Sequence, residues 1–369
     1  MEKWRAAMET MVELLRFYKG KTVFITGHSG FKGTWLCKIL TMAGAKIFGY
    51  SLPLEDGGMK AFYDLSGIDS HITSCWNDTR DLKALSSFYN QADPDVVFHL
   101  SAQPLVLDSY TRPVYTYETN VMGTVHVMEC VRRSHSDKPV SVLNVTTDKV
   151  YENKEWEWGY RENEPLDGYD PYSNSKSCSE LVTHSYKRSF LSQTHIAVST
   201  ARAGNVIGGG DFADNRIIPD CIRAALQNKI IHVRNPYSTR PYQHVLEPLY
   251  AYLLIAAKQY EERQYADSYN VGPDDCDCVT TGELVGLFCK AWGNGLNWKT
   301  AAIVEQPHEA GLLKLDCSRL KNTFQWQPVW HVDEAVEKTV EWAKAYEHNE
   351  NMAIVMEKQI QAFGNGNKG

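Results

Sequence analysis

Residues 21–50 restrict the possible folds more than any other stretch of the chain. Lys21-Thr22-Val23-Phe24-Ile25-Thr26 is a short β-branched and aromatic run that reads as a buried strand. It passes directly into Gly27-His28-Ser29-Gly30-Phe31-Lys32-Gly33. Residues 35–43 follow as an apolar helix, and Lys46-Ile47-Phe48-Gly49-Tyr50 is the next strand. This is a βαβ unit with a glycine-rich first turn. Glycine lets the backbone turn tightly and approach a pyrophosphate, and the helix N-terminus adds N–H groups and partial positive charge. The spacing Gly-x-x-Gly-x-x-Gly differs from the commoner Gly-x-Gly-x-x-Gly, but its place between strand and helix predicts a dinucleotide site.

The alternation of strand and helix continues. Ile72-Thr73-Ser74-Cys75-Trp76 leads to Asn77-Asp78, and Asp95-Val96-Val97-Phe98-His99-Leu100 leads to Ser101-Ala102-Gln103-Pro104. A helix begins near Thr119-Asn120 and carries Val121, Val125, Met128 and Val131. Further strands are read at 140–145 and 196–201. The pattern predicts the α/β class, with a doubly wound parallel sheet covered by helices on both faces. After Arg202 the texture changes to glycine-rich loop and short mixed elements, which predicts a smaller lobe closing over the sheet. The expected organisation is an N-terminal helix at 1–18, a dinucleotide-binding domain at 19–203, a substrate-binding lobe at 204–350 with some segments returning to the sheet, and a tail at 351–369. The helix is read from Trp4, Met8, Met11, Val12 and Leu15; the tail after Ala362 is expected to be disordered.

Where the 140–145 strand runs out stand Thr146-Thr147-Asp148-Lys149-Val150-Tyr151, placing a hydroxyl, a carboxylate and an amine together. Ligands of open α/β sheets bind at the carboxyl ends of the strands. Tyr172 and Lys176 are four residues apart and would share a helix face. A phenol has a pKa of about 10, and a lysine cation beside it would lower that value. In the second lobe, Arg216, Arg234 and Arg240 offer forks of donors suited to phosphate.

Composition narrows the partners. A net charge of -7 argues against nucleic acid, and no apolar run approaches a membrane span. The N-terminus lacks the features of a signal peptide. The nine cysteines are scattered, and Cys276-Asp277-Cys278 has the wrong spacing for a zinc pair, so free thiols, no metal and a reducing cytoplasm are expected. Glu55, after Pro53, is the first acidic residue beyond the second strand, and no Arg follows to neutralise a 2′-phosphate, which favours NAD over NADP.

The glycine turn together with Tyr172-x-x-x-Lys176 resembles the extended short-chain dehydrogenase/reductase superfamily, whose sheet is of the Rossmann type. Thr147-Asp148-Lys149 resembles the active-site triad of its nucleotide-sugar 4,6-dehydratases. Longer blocks are similar to the CDP-glucose branch: residues 27–33, 102–106, 158–165, 168–173, 202–211 and 240–248. Two positions depart from relatives. The dTDP- and GDP-sugar enzymes have Glu where this chain has Lys149, and Leu107-Asp108 stands where a basic residue is expected.

The resemblance implies a hydro-lyase of deoxysugar biosynthesis acting on CDP-glucose through tightly bound NAD, as a homodimer or homotetramer. It implies Thr147, Asp148, Lys149, Tyr172 and Lys176 as catalytic residues. Cofactor contacts are implied for Gly27, His28, Ser29, Gly30, Phe31, Lys32, Gly33, Asp78, Thr79, Leu100, Ser101, Ala102, Gln103, Asn120, Thr146, Tyr172, Lys176 and Arg202. Substrate contacts are implied for Gln103, Pro104, Thr147, Asn205, Arg216, Arg240, Tyr242 and His308. Asp148, as an acid, would need a raised pKa. Two other readings share these residues: a nucleotide-sugar epimerase or decarboxylase, and a catalytically silent dinucleotide binder. Asp148 followed by Lys149 argues against the first; the presence of both Tyr172 and Lys176 argues against the second.

Overall fold

The computed structural model describes residues 11–134, 138–301 and 311–366. Helices are α1 (Met11–Tyr18), α2 (Phe31–Ala43), α3 (Gly58–Leu65), α4 (Leu82–Ala92), α5 (Val106–Thr111), α6 (Pro113–Tyr117), α7 (Gly123–Arg133), α8 (Pro171–Ser189), α9 (Ile217–Leu226), α10 (Leu246–Glu261), α11 (Thr281–Trp292), α12 (Ser318–Phe324), α13 (Val332–Glu347) and α14 (Met352–Gly366). Strands are β1 (Thr22–Thr26), β2 (Lys46–Ser51), β3 (Ile72–Trp76), β4 (Val96–His99), β5 (Val140–Val145), β6 (Ile196–Ala203), β7 (Val206–Ile207), β8 (Ile231–Val233), β9 (Thr239–Pro241), β10 (Gln243–His244), β11 (Ser268–Val271), β12 (Cys278–Thr280) and β13 (Trp298–Thr300).

Seven strands form one parallel sheet in the order β11-β6-β5-β4-β1-β2-β3. Strand residues alternate between two cores, as the pleat requires. Val23, Ile25, Phe98 and Leu143 face a core shared with α1, α2, α10 and α14. Phe24, Val97, Val142 and Val198 face a core shared with α4 and α7. β5 and β6 are buried along their whole length, polar Ser141, Asn144, Ser199, Thr200 and Arg202 included, so neither strand alternates apolar with polar. A third core, built on α9, α11 and α13, fills the lobe.

The chain crosses between sheet and lobe more than once. β11 completes the sheet beside β6, and α10 packs on β5 and β6, although both come from the segment read as lobe. Of the N-terminal helix, Met11, Leu14 and Tyr18 are buried, and Tyr18 donates from its hydroxyl to the Leu253 carbonyl at 2.6 Å; Trp4 and Met8 lie outside the described residues. The expected disorder after Ala362 is corrected for residues 363–366; residues 367–369 lie outside the described residues. α14 continues to Gly366 and buries Phe363 and Gly364, and Glu357 pairs with Lys38 of α2 at 2.7 Å. Glycines 364 and 366 suggested a loose end, but burial of the apolar face of α14 outweighs their weak helix propensity.

Candidate active site

The order of strands reverses between β1 and β4, and the loops after β1, β4 and β5 meet at their carboxyl ends. Such a switch point is where open α/β sheets bind ligands. At the end of β1, Gly27 has φ 76°, a left-handed conformation, and a Cβ there would lie 2.7 Å from the Ser101 amide nitrogen. A Cβ on Gly33 would lie 2.1 Å from the Gly27 carbonyl oxygen. α2 starts at Phe31 with no side-chain cap from Gly30, leaving its first N–H groups directed at the turn. This cradle, closed to any side chain, fits a dinucleotide diphosphate.

His28 contributes only its backbone there. Its ring is fully buried under β2, fills the space where Gly49 lacks a Cβ, and lies 3.2 Å from the Ser74 hydroxyl. Burial holds its pKa down at about 4. Ser29 donates to the Ser51 hydroxyl at 2.8 Å, which ties the turn to the end of β2. Asp78 pairs with Arg80 at 2.7 Å, and the Thr79 carbonyl lies 2.9 Å from His126 Nδ1. A single π-turn, Glu118–Met122, carries Asn120, whose side chain accepts from the Gln103 amide at 2.8 Å and donates to the Ser175 hydroxyl at 2.9 Å. Asn120 thereby braces the β4 loop against α8.

Asp170 caps α8: it accepts from the Ser173 amide at 2.9 Å and the Ser173 hydroxyl at 2.6 Å, and Pro171 opens the first turn. The cap fixes where the helix begins and so aims Tyr172 and Lys176 at the end of β5. Lys176 donates from Nζ to the Val145 carbonyl at 3.1 Å. Burial lowers Lys176 to about 8, opposed by the Glu180 charge. Tyr172 departs from expectation: burial pushes the phenol up to about 12, against a hydrogen bond with Thr147 and the Arg216 charge. Desolvation outweighs the favourable neighbours.

Asp148 is buried, accepting from Thr147 Oγ1 and from Asn205 Nδ2, each at 2.9 Å. A Cβ on Gly204 would come within 2.0 Å of its carboxylate. Lys149 is half-buried and lines the cleft.

That cleft, about 900 Å³, lies between the sheet edge and the lobe and is lined by Pro104, Asp148, Tyr172, Arg216, Arg240 and Tyr242 among others. Arg216 pairs with Asp211 at 3.0 Å. Arg240, nearly fully buried, donates to the Thr239 carbonyl at 2.9 Å and the Gly311 carbonyl at 3.3 Å. Lys32, read from sequence with the cofactor turn, sends its side chain into this cleft, where burial lowers its pKa to about 8 and the charges of Asp148 and Asp211 oppose that shift.

Two residues with implied contacts have partners within the protein. The Gln103 side chain turns into its own loop, accepting from the Leu105 amide at 2.6 Å and donating to Thr116 Oγ1 at 2.9 Å, so it does not line the cleft. Arg202 is fully buried in an ion pair with Glu180 at 2.9 Å and donates to the Tyr151 hydroxyl at 2.8 Å. His308 lies outside the described residues. Asp108, where a basic residue was expected, lines the cleft and is held by Arg112 at 2.6 Å. The Cys276 loop meets His331: Asp277 lies 2.8 Å from His331 Nδ1 and accepts from the Val332 amide at 2.9 Å, capping α13. Sequence reasoning missed Glu180; its one signal is the spacing Tyr172, Lys176, Glu180 on one face of a helix.

Residues 24–339 match the model of the family described as GDP-mannose 4,6-dehydratase. The chain is 43% identical over 353 residues to the CDP-glucose 4,6-dehydratase of Salmonella typhimurium, covering 94% of this chain and 97% of that one. It is 24% identical to a dTDP-glucose 4,6-dehydratase of Xanthomonas campestris, covering 87% and 92%. Among solved structures, UDP-glucuronic acid 4-epimerase of Bacillus cereus, in complex with UDP-glucuronic acid and NAD, superposes with a TM-score of 0.75 at 20% identity, covering 88% and 99%. The dTDP-glucose 4,6-dehydratase of Bacillus anthracis, in complex with NAD, superposes with a TM-score of 0.71 at 20% identity, covering 90% and 99%.

Proposed function

The chain belongs to the GDP-mannose 4,6-dehydratase family, and from that premise we propose that it converts CDP-glucose to CDP-4-keto-6-deoxyglucose and water. The carrying observation is that Tyr172, Thr147 and Asp148 converge on one cleft beside a glycine turn that fits a dinucleotide. The chemistry NAD supplies when bound is to accept one hydride and later return it, so none is consumed. The residues of the 27–33 turn would hold its diphosphate through backbone N–H groups.

Tyr172, acting as the phenolate, takes the proton of the sugar 4-hydroxyl as C4 is oxidised. Thr147 hydrogen-bonds that oxygen, and Lys176 supplies a cation one helical turn behind. The 4-ketone makes the C5 hydrogen acidic. The neutral amine of Lys149 removes it and later returns a proton to C5: its side chain lines the cleft, and no hydrogen bond or ion pair engages Nζ among the described residues. Asp148 protonates the departing 6-hydroxyl, held for that task by Thr147 and Asn205. Arg216 and Arg240, which line the cleft on the lobe side, bind the substrate diphosphate in this reading.

All nine cysteines are free thiols, which supports a cytoplasmic location, and no described helix is long and apolar enough to cross a membrane. Val114, Tyr117, Met122 and Leu181 are exposed along α6, the π-turn and α8. This apolar face supports pairing with a second copy of the chain.

The direct test is to incubate the purified protein with CDP-glucose and NAD and follow the nucleotide sugar by mass. Loss of one water with appearance of a 4-ketone is the expected result. Recovery of unchanged CDP-glucose, or of an epimer of the same mass, would overturn the reading.

A further inference from the structure

Beyond Tyr172 and Lys176, the same face of α8 reaches Glu180, which the reaction above leaves unused. Glu180 is fully buried and held on both oxygens: Oε1 accepts from Thr146 Oγ1 at 2.5 Å, and Oε2 accepts from Thr200 Oγ1 at 2.7 Å and from Arg202 Nη2 at 2.9 Å, with His184 Nε2 at 3.7 Å one turn further on. These partners belong to three segments. Thr146 directly precedes Thr147, and Thr200 and Arg202 lie on β6, just ahead of Gly204 and Asn205. One carboxylate therefore joins the helix bearing Tyr172 and Lys176 to both chain ends that bear Thr147, Asp148 and Asn205.

A buried carboxylate is costly unless paired and hydrogen-bonded. Here the pairing cation, Arg202, holds Glu180 through Nη2 and donates from Nη1 to the Tyr151 hydroxyl and the Glu162 carbonyl, at 2.8 and 3.0 Å. The groups facing Lys176 are Tyr172 and Glu180 on α8, the Val145 carbonyl on β5, Lys32 on α2 and His99 on β4. Burial keeps His99 neutral, with a pKa of about 3. Glu180 is the charge that acts to keep the proton on Lys176.

We propose that Glu180 is a positioning residue of the dehydration, holding Lys176 as a cation behind Tyr172 and locking the ends of β5 and β6 against α8. The inference rests on the reading of Tyr172 as the group that takes the 4-hydroxyl proton. Two consequences separate charge from tether. Removing the charge lets Lys176 lose its proton at lower pH, so the alkaline limb of kcat moves down. Cutting the tether at Thr146 lowers kcat at all pH values without moving the limb.

The test uses E180Q, which keeps side-chain length and one acceptor oxygen, its amide nitrogen meeting the other threonine as a donor, and T146V, which keeps the charge. In E180Q the alkaline limb is expected to fall by about one pH unit, with KM for CDP-glucose and Kd for NAD within about twofold of the parent. In T146V kcat is expected to fall about tenfold with the limb in place. The double variant E180Q/R202M removes both buried charges together and replaces E180Q if that protein does not fold. A folded charge variant whose limb has not moved, or T146V with parental kcat, would overturn the proposal. Absence of turnover in the parent protein would instead overturn the dehydratase reading.

Discussion

Asn205 donates from Nδ2 to Oδ2 of Asp148 at 2.9 Å, from a backbone held in the left-handed region at φ 49°. Asparagine tolerates that conformation better than most residues. The contact brings the end of β6 to the end of β5 and leaves no room for a side chain on Gly204. Gly204→Ala is therefore expected to displace the Asp148 carboxylate and lower kcat about a hundredfold, with NAD affinity preserved. Steady-state kinetics beside a cofactor titration checks this; parental kcat would show that the carboxylate is not needed where it lies.

Tyr172→Phe removes only the ionisable oxygen. Turnover should fall by about 10²–10⁴, while NAD and CDP still bind. Full activity in the variant would remove Tyr172 from the reaction.

Gly33→Ala puts a Cβ 2.1 Å from the Gly27 carbonyl oxygen. Helix and turn must separate, so NAD affinity should drop at least about tenfold. Unaltered NAD binding by calorimetry would mean that the diphosphate lies elsewhere.

Lys149→Met tests the C5 step. C4 oxidation should survive, so reduced cofactor accumulates on the enzyme, and exchange of the C5 hydrogen with heavy water should stop. Fast exchange persisting in the variant would falsify the base assignment and leave Lys149 an electrostatic role.

Three buried imidazoles make stability depend on pH. Burial holds His28 at about 4, His99 at about 3 and His244 at about 3, all below the ordinary 6.5. The unfolded chain binds these protons near pH 6.5 and the folded chain does not. Their stabilising contribution is thus whole above pH 6.5 and is lost as pH falls through 6.5 toward 4 and 3. Shifts of this size correspond to about 3 kcal/mol for His28 and about 5 kcal/mol each for His99 and His244. Thermal melts should show Tm falling steeply between pH 6.5 and 4, and less steeply in His244→Phe, whose ring would sit against Trp330 and Trp35 as the imidazole does. Equal slopes in the two proteins would refute the assignment.

Local signals were readable from the amino acids alone. Strand-turn-helix at 21–43 needs only β-branched residues, glycines and helical spacing in one short stretch, and the parallel sheet follows from repeating that unit. Tyr172 and Lys176 share a face because four residues nearly complete a helical turn. The Thr147-Asp148-Lys149 turn is legible because a buried strand must end where its ligand edge begins.

Side-chain partners across long separations were not readable. Gln103 and Arg202 were implied as ligand contacts by the resemblance alone. Folding gives them Thr116 and Leu105, and Glu180 and Tyr151, as partners instead. A buried polar group must satisfy its hydrogen bonds with whatever the packing brings near. The same holds for Asp148 with Asn205, for Lys32 reaching the substrate cleft, and for α14, whose order comes from burial against α2 and α13 rather than from its own sequence. Periodicity and turn chemistry act between near neighbours along the chain and can be read there. Burial, desolvation and charge pairing depend on which distant segments meet, and only the packed molecule settles that.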